Sequence, residues 1–511
     1  MSSTKTRDGF SGALAAGLAL GVSELVAGLV GSLPSLIESL GNWVIDVVPP
    51  PVKDWAIDVF GTNDKLALLI GIGLVTLILG ALVGLFARKR FWLAVVVFAG
   101  FGVVAALAGA RDPAVSFGIA VIPGALAAIT GLGALQWLYA LGEEKPAEEG
   151  EPSPARRAFL VGAGAVLGAA ALSASFGRVL LERGRIIAAG RSEVMLPTPV
   201  ETVPPVPGPA NFDIDGLSPI VTPNSDFYRI DTAFAVPRIN LPEWTLSITG
   251  RVDRPYELSY GDLMDMDMVE RHITLSCVSN RVGGNLVDNA KWLGVPLSEI
   301  LNRARVSDDA EQLVGRDVDG FTVGFPVEAA FDGRDALVAV GMNGEPLPFE
   351  HGFPARLVVA GLYGYVSATK WLSEIELTGW DEFDAYWVPR GWSKEAPIKT
   401  QSRIDTPNNG SVIEAGGRSI AGVAWAPHRG ISGVEVQVDQ DGQWVEAEMS
   451  EPLSKNSWVQ WRIPWDPDPG QHMIRVRATD GEGNTQTEET SPPAPNGATG
   501  YHTIRVTVSS T

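Results

Sequence analysis

The sequence predicts a multi-domain chain. An N-terminal α-helical membrane bundle over residues 1–185 is followed by a proline-rich linker at 186–210, an α+β domain at 211–400 and a C-terminal β-sandwich at 401–511. Three observations carry this division. Residues 10–180 are rich in Gly, Ala, Leu and Val and poor in charge, whereas 190–511 have the composition of a soluble acidic protein. The stretch LPTPVETVPPVPGPA (196–210) holds six prolines and should be extended and stiff. From about residue 405, short alternating strands are separated by turn residues. A chain of 511 residues is also too long for one ordinary core.

In the first part, four apolar stretches near 11–31, 66–87, 91–110 and 114–141 are long enough to cross a hydrocarbon core of roughly 30 Å as helices. A fifth, 158–174 (AFLVGAGAVLGAAALSA), is shorter and rich in small residues. NWVIDVVPPPVKDWAIDVFG, between the first two, reads as an interfacial segment because of its three prolines and paired tryptophans. Basic residues favour the cytoplasmic side of short loops. Lys5 and Arg7, then Arg88–Arg90, then Arg156 and Arg157 place the N-terminus inside, and five crossings put everything after residue 185 outside the cytoplasm, on a multi-pass anchor in contact with membrane lipid. Arg156 and Arg157 ahead of Phe159 and Leu160 also resemble a twin-arginine export signal placed internally, with Ala155 and Val161 at positions where Ser or Thr and Lys are common. An ordinary positive flank to a helix fits the same residues. Few ionisable groups lie inside the spans, Glu24 among them, which counts against a non-catalytic transport or assembly protein built around an ion pathway.

Charge and composition exclude several functions for the rest. A net charge of −20 argues against nucleic-acid binding. Cys277, the only cysteine, rules out an intrachain disulfide, a CxxC pair and any multi-cysteine metal site. None of the five histidines (His272, His351, His428, His472, His502) lies in the apolar part, so haem axial ligation there has no imidazole.

WTLSITGRV, RHITLSCV, FTVGFPVEAAF, ALVAVGMNG and ARLVVAGLYGY read as strands and turns of the α+β domain, and PLSEILNRARV as a short helix capped by Ser298. GRSIAGVAWAP, GVEVQVDQDGQWVEAEM, SWVQWRIPW, HMIRVRATDGEGN and YHTIRVTVSS read as a sandwich of immunoglobulin-like type. Its DGEGN (480–484) is a hairpin turn before it is a calcium loop.

Four groups in the α+β domain carry chemistry. Cys277 in HITLSCVSNRVGG stands where an apolar strand gives way to Ser279, Asn280, Arg281 and two glycines; a half-buried core cysteine is the bland alternative. HGFPARLVVAGLYGYVSATKW spaces His351, Arg356 and Lys370 through a glycine-punctuated segment, a candidate phosphate or pyrophosphate site. FYR (Phe227, Tyr228, Arg229) is a third group, and it reads equally as an edge strand. The aromatic run GWDEFDAYWVPRGWSKEAPIK, with Trp380, Tyr386, Trp387 and Trp392, is either a packing seam or a substrate wall.

Taken in order, SCVSN, DNAKWLGVPLSEIL, NGEPLPFEHGFPARLVVAGLYGY, KW, YW…GW…EAPIKTQSRI and a sandwich strand opening in GYH resemble the sulfite oxidase family of molybdopterin enzymes over roughly residues 210–511. The resemblance implies an α+β molybdenum domain and an immunoglobulin-like domain often used for homodimerisation. It implies one molybdopterin carrying molybdenum, with Cys277 as the protein thiolate on the metal. His351, Arg356 and Lys370, with Phe227, Tyr228, Asn280 and Arg281, would hold the cofactor, and Arg229 would lie beside the metal with a catalytic role. Sulfite-oxidising members commonly read NRR after the cysteine, where this chain has Val282, and a pocket tyrosine of theirs falls near Trp392. A small dianion therefore fits poorly, and a reductase of sulfoxides or another oxo-compound is the rival within the class. With no CxxCH haem site and no flavin fingerprint, electrons would pass to or from a separate carrier, cytochrome or quinone-linked.

Overall fold

The computed structural model describes residues 2–30, 33–49, 64–110, 117–143, 154–188, 190–231, 239–439 and 441–509, with isolated positions between them. By contacts the chain forms two units, one up to Ala189 and one of Gly190–Asp231 with Ile239–Thr511.

In the first unit, α1 (Ser2–Leu29) packs against α3 (Asp64–Ala87), α5 (Phe117–Leu141) and α6 (Pro154–Ala188), while α4 (Phe91–Gly109) packs on α5 and on the short α2 (Leu36–Val47). Small residues set these contacts, as they do wherever helices lack a hydrophobic drive to associate. A Cβ added to Gly12 would lie 2.0 Å from the Gly80 carbonyl oxygen, and one on Gly177 2.5 Å from the Glu24 carbonyl carbon, so α1 meets α3 and α6 backbone to backbone. Five of these helices are long and apolar enough to cross a membrane. The last, Ala155–Leu181, is longer than the apolar run read from sequence, because the helix continues past Ala174 through Phe176 to Leu181. Outward-facing Ile70, Ile78, Phe86, Val96, Ile129 and Leu172 are exposed, an apolar surface uncharacteristic of a soluble monomer. Glu24 is buried and accepts hydrogen bonds from Ser35 Oγ (2.8 Å) and Ile37 N–H (3.2 Å), and Ser35 in turn caps α2, so this carboxyl anchors a helix start. The interval read as interfacial lies largely outside the described residues.

The second unit holds four sheets. One, ordered β2-β1-β10-β5-β6, joins Tyr256–Ser259, Thr245–Gly250, Leu372–Thr378, Gln312–Asp317 and Thr322–Pro326. The next runs β3 (Val269–Ser276), β4 (Val287–Pro296), β7 (Ala336–Met342) and β8 (Glu345–Pro346), with β9 (Arg356–Val359) also on β7. β7 is buried at every residue, which is why ALVAVGM shows no alternation. The short helix Leu297–Ala304 is not capped by Ser298. Pro296 takes the N-cap position and Ser298 falls inside the first turn, since the ring of Pro296 pre-sets the backbone that enters the helix.

The C-terminal region has two sheets, β11-β13-β17-β16 (Gln401–Thr406, Arg418–Trp425, Val459–Trp465, Glu448–Met449) and β12-β19-β18-β14-β15 (Val412–Glu414, His502–Ser509, Gly470–Asp480, Ile431–Val438, Trp444–Glu446). Their alternating apolar residues meet in one core around Trp461, Ile420, Val436, Ile474 and Val506. DGEGN is a hairpin turn: the Asp480 carboxylate accepts from Asn484 N–H (2.9 Å) and Arg429 Nε (2.8 Å). The proline-rich segment is extended, as its composition dictates, and lies against the α+β domain. Val200 N–H donates to Met268 O, Glu270 N–H donates to Glu201 O, and Arg191 donates to the carbonyls of Pro346 and Leu347.

Candidate active site

Cys277 is the first residue beyond β3 and opens the loop to β4. Its N–H donates to Leu286 O (2.9 Å) and its carbonyl accepts from Asn280 N–H (3.0 Å), while Asn280 Oδ1 accepts from Leu286 N–H (3.0 Å). The loop is thus closed on the cysteine at both ends. The thiol is buried, and burial pushes its pKa up, against hydrogen bonds from Ser279 and the positive charge of Lys370, which favour the thiolate. Arg281 lies exposed on the outer side of the turn.

Segment 220–231 has no regular structure and is tied to β4 instead. Thr222 N–H donates to Asn289 O, Tyr228 N–H donates to Asp288 Oδ2 (2.7 Å), and Asn289 Nδ2 donates to Ile220 O (2.7 Å). Phe227 is thereby placed in an aromatic nest: stacked on Tyr228 (5.3 Å) and edge-on to Trp292 (5.8 Å) and His351 (5.5 Å). The Tyr228 hydroxyl is held protonated by burial and by the negative charge of Cys277.

His351, Arg356 and Lys370 converge because Gly352, at φ +108°, reverses the chain between them; a Cβ there would lie 3.0 Å from Lys370 Cα. His351 is buried with Nε2 3.2 Å from Asn224 O, and burial with the charges of Lys370 and Arg356 lowers its pKa to about 4. That ring is neutral, and Nε2 carries the proton because it faces a carbonyl. Arg356 is 3% exposed, lies over Trp292 (5.1 Å) and donates to His351 O (3.0 Å). Burial lowers its pKa to about 10, and among the described residues it makes no ion pair. Lys370 donates to the Glu350 carbonyl (2.8 Å) and pairs with Asp231; burial brings it down to about 8. Arg229 turns from the core, 45% exposed, to pair with the other oxygen of Asp231 (2.6 Å). Burial alone would raise the Asp231 carboxyl, but Lys370 and Arg229 hold it below the usual range.

The structure therefore gathers Cys277, Tyr228, Phe227, His351, Arg356 and Lys370, sets Arg229 on the rim and leaves Arg281 outside. It adds Asp231 and Asp288, which sequence reasoning missed; the only signal for the first was a lone carboxylate two residues past Arg229. Trp392 stands beside Tyr365 (5.7 Å) and Trp387 (6.3 Å), and Tyr365 OH donates to Ser393 O (2.6 Å), so the aromatic run forms one wall.

The site fits an anionic, metal-bearing cofactor on two counts. Three cations, Arg356 fully buried among them, face a single carboxylate, which leaves positive charge for a bound anion. Among the described residues no group of three His, Cys, Asp or Glu side chains is placed to hold a metal, so a metal on Cys277 would take its other ligands from the cofactor.

A family model for the oxidoreductase molybdopterin binding domain matches residues 233–387, which include Cys277, His351, Arg356 and Lys370. The mitochondrial sulfite oxidases of Mus musculus and Homo sapiens are 29% and 26% identical over 287 and 320 residues, covering 48% and 53% of this chain. The chain spans about half the length of those curated relatives, 52% and 58%. The uncharacterized oxidoreductase YuiH of Bacillus subtilis is 33% identical over 153 residues, 30% of this chain and 74% of its own length. Among solved structures, the sulfane dehydrogenase SoxCD of Paracoccus pantotrophus is similar at TM-score 0.49 and 23% identity, covering 55% of this chain and 80% of its own. Site and sequence together define a molybdenum-dependent oxidoreductase domain. The chain belongs to the sulfite oxidase family of molybdopterin-dependent oxidoreductases.

Proposed function

We propose that the protein is a membrane-anchored enzyme whose Cys277 thiolate ligates the molybdenum of one molybdopterin, with its catalytic and immunoglobulin-like domains outside the cytoplasm. When bound, the cofactor supplies two-electron oxygen-atom transfer. Arg356 and Lys370 neutralise the anionic end of the pterin, and neutral His351 sits against the ring of Phe227 that closes the pocket. Phe227 and Tyr228 shield the thiol from water, and Asn280 holds its loop. Arg229 acts from the rim, where it is free to meet a substrate. The observation that carries this reading is the fully buried Arg356 without an ion pair, in the same pocket as the chain's only thiol.

The five apolar helices support the anchor, and their basic flanks support an outside catalytic unit. The twin-arginine-like pair heads α6 and would serve export of a cofactor-loaded chain. Electrons would leave singly to a separate cytochrome or quinone-linked carrier. A homodimer through the C-terminal sheets fits the same architecture. Val282 and the half-buried Trp392 favour a substrate less charged than sulfite, with a sulfoxide-type oxo-compound reductase as the second reading.

Molybdenum content of detergent-purified protein from molybdenum-replete cells tests the assignment. About one metal per chain is expected, with the metal's spectroscopic signature lost in Cys277→Ser. Folded, metal-free parent protein would overturn it.

A further inference from the structure

The loop that carries Cys277 is held from outside its own domain. Arg403, on β11, donates from Nη1 to Gly284 O (2.8 Å), from Nη2 to Ser218 Oγ (2.8 Å) and from Nε to Asp405 Oδ1 (2.6 Å). His502, first residue of β19, lies edge-on to Gly283: a Cβ there would be 2.3 Å from its Cδ2 and Nε2. The ring is locked from behind, because Ile404 N–H donates to its Nδ1 (2.9 Å). This bond also ties the two C-terminal sheets together. Burial, with Arg403 nearby, keeps the imidazole neutral, at about 4. Gly283, at φ +76°, admits the close approach that no other residue would.

The strand leading into the loop is docked on the same side. Thr274 N–H donates to Asn456 O (2.9 Å), Trp458 N–H to Thr274 Oγ1 (2.7 Å), and Ser454 Oγ to His272 O (2.8 Å). The thiol therefore follows a strand fixed by residues 454–458 and precedes a turn fixed by Arg403 and His502.

We infer that Arg403 and His502 are positioning residues for Cys277: the C-terminal sandwich is a structural wall of the cysteine loop, besides any role in association. The inference rests on Cys277 being the functional thiol, but its test does not need the metal. Because Cys277 is the only cysteine, a small thiol reagent reads its exposure alone. The full chain is purified in detergent from cells unable to make molybdopterin, and labelling rate is measured beside amide exchange of residues 277–286 and of β17 and β18. Arg403→Met and His502→Phe are each expected to speed labelling about tenfold and deprotect 277–286, with β17 and β18 unchanged. Arg403→Lys should restore part of the protection. Gly283→Ala drives the loop off His502 from the other side without altering the sandwich, and should act alike even if an Arg403 variant fails to fold. Parent-like labelling and loop exchange in folded Gly283→Ala and His502→Phe would overturn the inference. Absence of molybdenum from the loaded parent would sink the cofactor reading and leave this result standing.

Discussion

Replacing Asp231 with Asn removes the only carboxylate that balances the cation cluster, with little change of shape. The side chain is 2% exposed and faces Arg229 and Lys370. Arg229 is 45% exposed, so that pair is screened and contributes at most ~1 kcal/mol. Lys370 is only 12% exposed, and breaking a buried pair from one side costs about 3–5 kcal/mol. The lower end applies, because Lys370, already down to about 8, can shed its proton once Asp231 no longer holds the charge in place. A loss of about 3 kcal/mol lowers the midpoint of a unit this size by about 6 °C, at ~2 °C per kcal/mol. The sign with pH follows from linkage. Lys370's folded pKa is depressed, so its contribution to stability is full above the unfolded value and lost as pH falls through the folded one. In the variant that folded value falls further, so the deficit should narrow as pH rises towards 8. Calorimetry of cofactor-free full chain in detergent at about pH 6 and pH 8 measures both terms. The loss should shrink in cofactor-loaded protein, where the pterin's anionic end meets Lys370. A folded Asp231→Asn variant whose midpoint at pH 6 stays within about 1 °C of the parent would refute the charge-balance argument.

Two further outcomes follow from the same geometry. Gly352→Ala forces a side chain into φ +108° against Lys370 and should cost about 1–3 kcal/mol while lowering cofactor content, read by metal analysis and calorimetry. His351, folded at about 4 against 6.5 unfolded, contributes stability that is full above 6.5 and lost as pH falls through about 4, a span of about 3 kcal/mol. His351→Gln should therefore flatten the fall in stability between those pH values; an unchanged slope would show that the ring is not held neutral.

Much of the site was legible because its chemistry is local in sequence. Cys277 announces itself by being alone and by the change from apolar to polar residues after Ser276. His351, Arg356 and Lys370 stand out because cations in an apolar, glycine-broken segment need a reason. The strands of the C-terminal region were equally plain, since a sheet with one face in a core must alternate, as β18 does. Longer-range links were not legible. Asp288 reads as a polar residue opening a strand, and only the fold shows that it holds Tyr228, 60 residues earlier. Arg403 and His502 were noticed within QSRI and GYH, yet nothing near them in sequence says that they meet Gly284 and Gly283, in Arg403's case 119 positions away. Periodicity reports which face of an element is buried and not what covers it. The partner is set by topology, here the antiparallel return of β4 beside β3 and the docking of residues 454–458 on β3. For the same reason the helix after β4 was legible in its apolar face but not in its cap. Ser298 has the right chemistry for a cap, and Pro296 fixes the backbone one turn position too early for it to serve. The residues that make a thiol available as a ligand are thus readable one by one, while those that hold it still are distributed over both halves of this unit and emerge only when the chain is folded.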